Sequence, residues 1–246
     1  MSNLTNFPYL NASEFSFAIS SLCRLFHQVQ SLSSSPRLAW TSVEIILDSG
    51  APHLRITKPL HIRTLSSSTS SIDIEAEDEK PQQYSGQDKD DVTVSEEDDD
   101  LEALPKHNKD LDAMVIYDII LSSTYSVPVF YFAIKDIAYR YPPTMRVLYE
   151  CIIPPRYVEQ TEAVGVLGGV TVTDHPTANT PVYFLHPCKT VEVLRASTSS
   201  SSDGESDPLS YLLLWISTMG KSIGVDVPLA LMLAMRKEKQ ESNQRT

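Results

Sequence analysis

Pro181-Val-Tyr-Phe-Leu-His-Pro-Cys-Lys-Thr190 is the stretch on which the fold turns. Its first part, Val182 to Leu185, is an apolar run of the length and type of one buried strand. His186-Pro187-Cys188 then breaks that strand, because Pro187 fixes its own φ and biases His186 away from the helical region. The thiol of Cys188 therefore falls at an element boundary. Lys189 and a helix predicted over 189–196 would favour the thiolate through positive charge and unpaired backbone amides. Residue types alone leave the site open. Cys188 fits a nucleophile, but residue types by themselves favour the small buried hydrophobe that most cysteines of a reducing compartment are.

Working outward, 246 residues hold one substantial domain, or a smaller one with long insertions. The three cysteines, Cys23, Cys151 and Cys188, are odd in number and widely spaced, which argues against a disulfide framework. There is no CxxC, and His27, His53, His61, His107, His175 and His186 show no ligand spacing, which argues against a structural zinc. The start, Met1-Ser-Asn-Leu, does not read as a signal peptide. No apolar stretch approaches membrane-spanning length. These features predict a soluble, cytoplasmic protein.

The formal charge of −12 has a single origin. Residues 72–102 hold 14 of the 32 acidic and 2 of the 20 basic residues, leaving 18 of each sign elsewhere. Nucleic-acid binding is disfavoured, because no basic patch exists to replace counterions on phosphates.

Asn11 with Glu14 has the form of a capping arrangement, and Phe15, Ile19, Leu22, Cys23, Phe26 and Val29 repeat at helical spacing behind it. A helix is predicted over 13–32, with Cys23 as a core thiol. Trp40 to Leu47 and Leu54 to Ile62 read as strands around a turn at Asp48–Pro52. Residues 66–110 are poor in aromatic and aliphatic side chains, too poor to offset their chain entropy, and read as a disordered acidic insertion. Met114 to Leu121, dense in Val and Ile, is a strand. After the turn Ser122–Ser126 the chain returns as Val127 to Ile134, giving a hairpin at the middle of an antiparallel sheet.

Pro142-Pro143 opens a short helix near 144–151, with Cys151 packed, and Pro154-Pro155 ends it. Gly165 to Gly169 lacks the spacing of a phosphate loop and reads as a turn. Val170 to Pro176 is a short strand running into a turn. A serine-rich loop covers 197–206. Asp207-Pro208 is a cap followed by proline at the first helical position. Leu209, Leu212, Leu213, Ile216 and Met219 form the apolar face of the helix that follows, Gly220 stops it, and a last helix begins at Pro228.

A helix, an antiparallel sheet, a cysteine after the last strand and then helices follow the order of a ubiquitin-conjugating-enzyme-like fold. His186-Pro-Cys-Lys-Thr190 closely resembles the active-site motif of the autophagy conjugating enzymes. Ser123-Thr-Tyr-Ser-Val-Pro-Val-Phe-Tyr-Phe132 is similar to their hairpin motif, and Tyr211-Leu-Leu-Leu-Trp-Ile-Ser217 with Gly220 and Gly224 to their closing helix. The resemblance covers most of 111–235. It implies an α+β fold with an antiparallel sheet of about four strands flanked by helices. Residues 1–65 and 111–246 would form one conjugating domain, interrupted by the insertion 66–110.

The resemblance further implies a two-step thiol mechanism. Cys188 would accept the C-terminal glycine of autophagy-related protein 12 from the activating enzyme, autophagy-related protein 7, as a thioester. It would then pass the acyl group to a lysine of autophagy-related protein 5. No metal or organic cofactor is implied. The location implied is cytoplasmic, with transient presence at the pre-autophagosomal site.

Ordinary ubiquitin-conjugating enzymes use an asparagine a few residues before the cysteine, and this motif has none at that place. His186 and Tyr125 are the family-matching candidates for polar support of the reaction. Their plainer readings are a structural histidine and a turn aromatic. Asp174-His-Pro-Thr-Ala-Asn179 resembles the loop that leads into the cysteine strand, with a positioning role. Partners would add to an exposed sheet edge, where strand amides are unpaired.

Three alternatives stay open. The sister family that joins a ubiquitin-like protein to phosphatidylethanolamine also carries a long acidic insertion, but its motif continues with a basic residue, His and Ala where Lys189-Thr190 stands here. An unrelated cysteine hydrolase would need a histidine base and an orienting Asn or Asp. A non-catalytic interaction module would simply bury Cys188.

Overall fold

Asn11 starts the first helix because its side chain can do what the helix backbone cannot do for itself. Its Oδ1 accepts from the Glu14 amide at 2.9 Å, and Glu14 Oε2 accepts from the Asn11 amide at 2.9 Å. Two amides left over at the helix end are satisfied reciprocally. Helix α1 runs Ala12–Ser31, and its buried stripe includes Phe15, Ile19, Leu22, Phe26 and Val29. The computed structural model describes residues 4–32, 38–47, 51–61, 113–164, 169–198 and 207–243. The expected acidic insertion over 66–110 lies outside the described residues, as do residues 48–50 of the first turn, 165–168 of the glycine turn and 199–206 of the serine-rich loop.

Six strands form one antiparallel sheet: β1 (Ser42–Ile46), β2 (His53–Pro59), β3 (Met114–Leu121), β4 (Pro128–Lys135), β5 (Val170–Asp174) and β6 (Pro181–Leu185). Their order is β1-β2-β3-β4-β6-β5, so the β3–β4 hairpin lies at the middle, as its Val and Ile density predicts. The fold class is α+β as expected, with a sheet two strands wider than the four anticipated. The extra width comes from the β5–β6 hairpin, whose five register pairs fold it on itself. It joins β4 at only two, Tyr131↔Phe184 and Phe132↔Tyr183.

Alternation assigns the faces. One cross-strand row reads Val43, Ile56, Tyr117, Phe132 and Tyr183 and faces the helices. The neighbouring row reads Glu44, Arg55, Asp118, Tyr131 and Phe184 and faces away from them.

The helix-facing row is covered by α1 and by α5 (Pro208–Met219), whose Trp215 stacks on Phe130 with ring centroids 4.3 Å apart. Asp207 caps α5 by accepting from the Ser210 amide at 3.0 Å, with Pro208 in the first turn, as the sequence predicts. Two other boundaries fall where the sequence predicts, and each residue there has a second role. Pro154-Pro155 does end a π-helical turn over Leu148–Ile152, but Pro155 also opens α3 (Pro155–Val164), since proline suits a first helical position as well as a stop.

Gly220 does not end α5 by a left-handed turn. Its φ is −72°, and a short 3₁₀ turn continues to Ile223 before Gly224 takes φ 75°. Gly220 serves close approach instead, because a Cβ there would lie 2.4 Å from the Val225 carbonyl oxygen. Helix α6 (Leu229–Asn243) closes the chain. Among the described residues no helix is long and apolar enough to cross a membrane.

Candidate active site

The chain has three thiols, and the fold separates them as the sequence reading does. Cys23 lies half-buried on α1, its Sγ donating to the Val43 carbonyl at 3.4 Å. Burial first, and the Glu44 charge second, push its pKa up. Cys151 sits half-buried in the π-helical turn, raised likewise by burial and then by Glu150. Both disfavour the thiolate. Cys188 alone of the three is exposed.

The exposure follows from the local sequence. Strand β6 stops at Leu185, and a 3₁₀ turn over Pro187–Lys189 carries the chain into a helix over Thr190–Thr198, here α4. His186 caps that turn, its Nδ1 accepting from the Cys188 amide at 3.2 Å. With Nδ1 an acceptor, the proton of the neutral ring rests on Nε2, so His186 offers an N–H donor beside the thiol's own backbone. The His186 amide donates to the Gly169 carbonyl at 3.2 Å, which fixes where β6 ends. Lys189 was expected to favour the thiolate, but its ammonium is engaged with Glu192, 3.2 Å away.

Tyr125 arrives from the other hairpin. In the loop between β3 and β4, Ser122 and Val127 share a backbone hydrogen bond of 3.0 Å, and the Ser126 amide donates to the Ser122 carbonyl at 2.8 Å. Ser126 takes φ 52°, a left-handed conformation in which a small polar residue is tolerated. The Leu10 amide, donating to the Ser126 carbonyl at 2.8 Å, pins the loop from outside. The Tyr125 ring, 42 % exposed, meets His186 edge to face at 5.9 Å. Residues 61 apart in sequence, Tyr125 and His186, thus share one rim with Cys188.

The lead-in loop lies differently from the nucleophile. His175 is buried, and its Nδ1 accepts from the amides of Thr177 at 3.3 Å and Ala178 at 3.2 Å. Its Nε2 stands 3.2 Å from Asp118 Oδ2, off the ideal hydrogen-bond line. Asp118 also receives Arg55 in a two-point pair, at 2.7 Å and 2.8 Å, and His53 Nε2 lies 3.8 Å from it.

His53, Asp118 and His175 are a buried group of possible metal ligands that sequence spacing did not reveal. Their arrangement does not suit a metal. His175 Nδ1 already accepts two amides, so its Nε2 bears a proton instead of a lone pair, and a guanidinium occupies the carboxylate.

Residues 14–230 match the family model described as "Autophagocytosis associated protein, active-site domain". The chain belongs to that family. Within it, the chain is similar to the ubiquitin-like-conjugating enzyme ATG10 of Gibberella zeae, 26 % identical over 238 residues that span 92 % of this chain and 97 % of that protein. It is similar also to the human ubiquitin-like-conjugating enzyme ATG10, 27 % identical over 128 residues, 50 % of this chain and 54 % of that one. Solution structures of KmAtg10 superpose with a TM-score of 0.34 at 11 % identity, covering 88 % of this chain and 99 % of theirs. The resemblance drawn from the cysteine, hairpin and closing-helix motifs is borne out at the level of the family. With it comes a ubiquitin-conjugating-like role in autophagy.

Proposed function

We propose that this autophagocytosis-associated chain is a transferase in which Cys188 carries the C-terminal glycine of a ubiquitin-like protein as a thioester. In the first step the Cys188 thiolate attacks the carbonyl of a thioester on the activating enzyme, autophagy-related protein 7, and that enzyme's thiolate leaves. In the second, a deprotonated lysine of autophagy-related protein 5 attacks the new thioester. The C–S bond breaks, an isopeptide bond forms, and the Cys188 sulfur is released. The cargo in this reading is autophagy-related protein 12.

A thiol suits both steps, being a strong nucleophile and a competent leaving group. Each step passes through an oxyanion, and the Nε2–H of His186 and the hydroxyl of Tyr125 are the donors proposed to meet it. One domain, built from residues 1–65 and 111–246 and located in the cytoplasm, would perform the chemistry. The edge strand β5, with Val172, Thr173 and Asp174 exposed beside the active-site strand, is the proposed place for a partner strand to add.

The observation that carries the reading is the combination at Cys188: an exposed thiol at a strand end, its amide held by His186, with Tyr125 packed on that histidine. The test is a reconstituted loading assay with the activating enzyme and each of the two autophagy ubiquitin-like proteins. Wild type should form a reductant-sensitive adduct and Cys188→Ser a reductant-resistant oxyester, both with autophagy-related protein 12. Loading only of the lipid-directed ubiquitin-like protein would transfer the chain to the sister activity. Conjugation by Cys188→Ala would remove Cys188 from the mechanism.

A further inference from the structure

The active-site strand β6 is bonded to the body of the sheet through two register pairs only, whereas β3 and β4 share eight. Backbone pairing so short fixes a strand's direction poorly, and side chains must supply the rest. On the helix-facing side Tyr183 does so: its ring meets Phe132 at a tilt, centroids 5.3 Å apart, and its hydroxyl donates to the Thr144 carbonyl at 2.8 Å. On the opposite face the corresponding contact is at His175.

That ring is hydrogen-bonded at Nδ1, and its Nε2 faces a carboxylate off the hydrogen-bond line. Nδ1 holds the turn His175–Thr180 closed, and Nε2 meets the buried Asp118 carboxylate of β3. Asp118 is in turn held by Arg55 of β2. From His175 a continuous series of ring contacts leads to the nucleophile. His175 touches Tyr131 edge to face at 5.6 Å, Tyr131 meets Phe184 at 5.1 Å, and Phe184 meets His186 edge to face at 5.8 Å. His186 accepts the Cys188 amide.

We infer that His175 is a positioning residue: anchored by Asp118, it latches the β5–β6 hairpin onto the sheet and, through Tyr131 and Phe184, sets the orientation of His186 and Cys188. This rests on the reading of Cys188 as the nucleophile. A misplacement on the order of 1 Å at a reacting group costs up to about a hundredfold in rate. A loosened hairpin therefore lowers transfer without emptying the site.

Two substitutions separate the latch from the turn. In His175→Asn the side-chain oxygen can still accept the Thr177 and Ala178 amides, but the side chain at 175 no longer reaches Asp118. In His175→Gln the amide nitrogen can reach Asp118, but the turn loses its acceptor. Both are measured for thermal stability, for hydrogen exchange of the segment 182–190 by mass spectrometry, and for single-turnover discharge of a preloaded thioester onto the acceptor protein.

The expected result is that both variants lose similar stability, while His175→Asn alone exchanges roughly tenfold faster over 182–190 and discharges roughly tenfold more slowly. His175→Gln should stay within about twofold of wild type on both counts. Equal rates in the two variants, or rates that simply follow stability, would overturn the latch. If His175→Asn does not fold, Tyr131→Leu cuts the ring series without touching the ion pair and should give the same faster exchange and slower discharge, with unchanged values again overturning the proposal. Should wild type form no thioester at all, the nucleophile reading fails, while the exchange comparison still decides whether His175 holds the strand.

Discussion

Gly220→Ala separates two roles that a glycine after a helix can have. If Gly220 merely stops α5, alanine is harmless: its backbone is ordinary right-handed helix at φ −72°, and alanine there gains about 1 kcal/mol of helix propensity. The packing says otherwise. A Cβ would stand 2.4 Å from the Val225 carbonyl oxygen and 2.7 Å from its Cγ1, where ordinary contact begins at 3.4 Å. Val225 is fully buried, and its amide donates to the Gly220 carbonyl at 3.0 Å, so the Val225 segment must move by roughly the 1 Å that separates those distances. Nearby, the Ile223 carbonyl accepts from the Tyr117 hydroxyl at 2.9 Å and the Gly224 carbonyl from Lys58 at 2.5 Å, and both would be dragged along. Overpacking costs about 1–3 kcal/mol, and a weakened buried hydrogen bond adds about 1 kcal/mol. After subtracting the propensity gain, the net loss is about 2 kcal/mol. Urea unfolding followed by the fluorescence of the buried Trp40 and Trp215 should show the midpoint lowered by about 1 M at unchanged slope. A variant as stable as wild type would refute the close-approach argument and return Gly220 to the role of a plain stop.

In the folded protein iodoacetamide should modify Cys188 at least about tenfold faster than Cys23 or Cys151, whose thiolates burial disfavours, as peptide mapping of a timed reaction would read; equal rates would contradict the separation of the three thiols. Hydrogen bonds from the Arg140 side chain hold the Asp136 carboxyl down at about 2, below its ordinary 3.8, so the stability it contributes is complete above about pH 5 and lost as pH falls towards 2. Asp136→Asn should therefore lower the urea midpoint at pH 6 and lower it progressively less at pH 4 and 3, whereas a pH-independent difference would mean that the pair acts through packing alone.

Much of this arrangement is legible from residues because it rests on local chemistry. The Asn11–Glu14 box, the Asp207-Pro208 start and the Val- and Ile-dense β3 each carry their own signal within a few residues. So does the break at His186-Pro187-Cys188, which placed the exposed thiol. What sequence could not give depends on register. His53, Asp118 and His175 are brought together by the pairing of three strands and a folded-back turn, and no spacing announces them. A signal did exist: Asp118 is the one charged residue inside the otherwise apolar Met114–Leu121, and a buried carboxylate calls for a partner. The sixfold sheet was underestimated for a related reason, since the attachment of β6 to β4 is too short to leave a pattern. Gly220 does stand at the end of α5, as read, but its close approach to Val225 leaves no trace in the sequence, because a plain stop favours the same residue.

The two faces of the sheet divide the work, and this explains why the site sits where it does. Tyr117, Phe132 and Tyr183, with Trp215 on Phe130, bury large apolar area against α1 and α5, and that side holds the molecule together. The opposite row, Arg55, Asp118, Tyr131 and Phe184, buries less and is joined by charge and by ring edges, which are directional. Directional contacts contribute little to total stability but much to orientation. Under the proposed function the site would need that combination, because the exposed thiol would admit two large protein partners in turn and still return to one geometry. A strand tied by two backbone pairs and aimed by side chains can be loosened without unfolding the core. Substitutions on the helix-facing row should thus change stability and activity together, while those on the opposite row should change activity first.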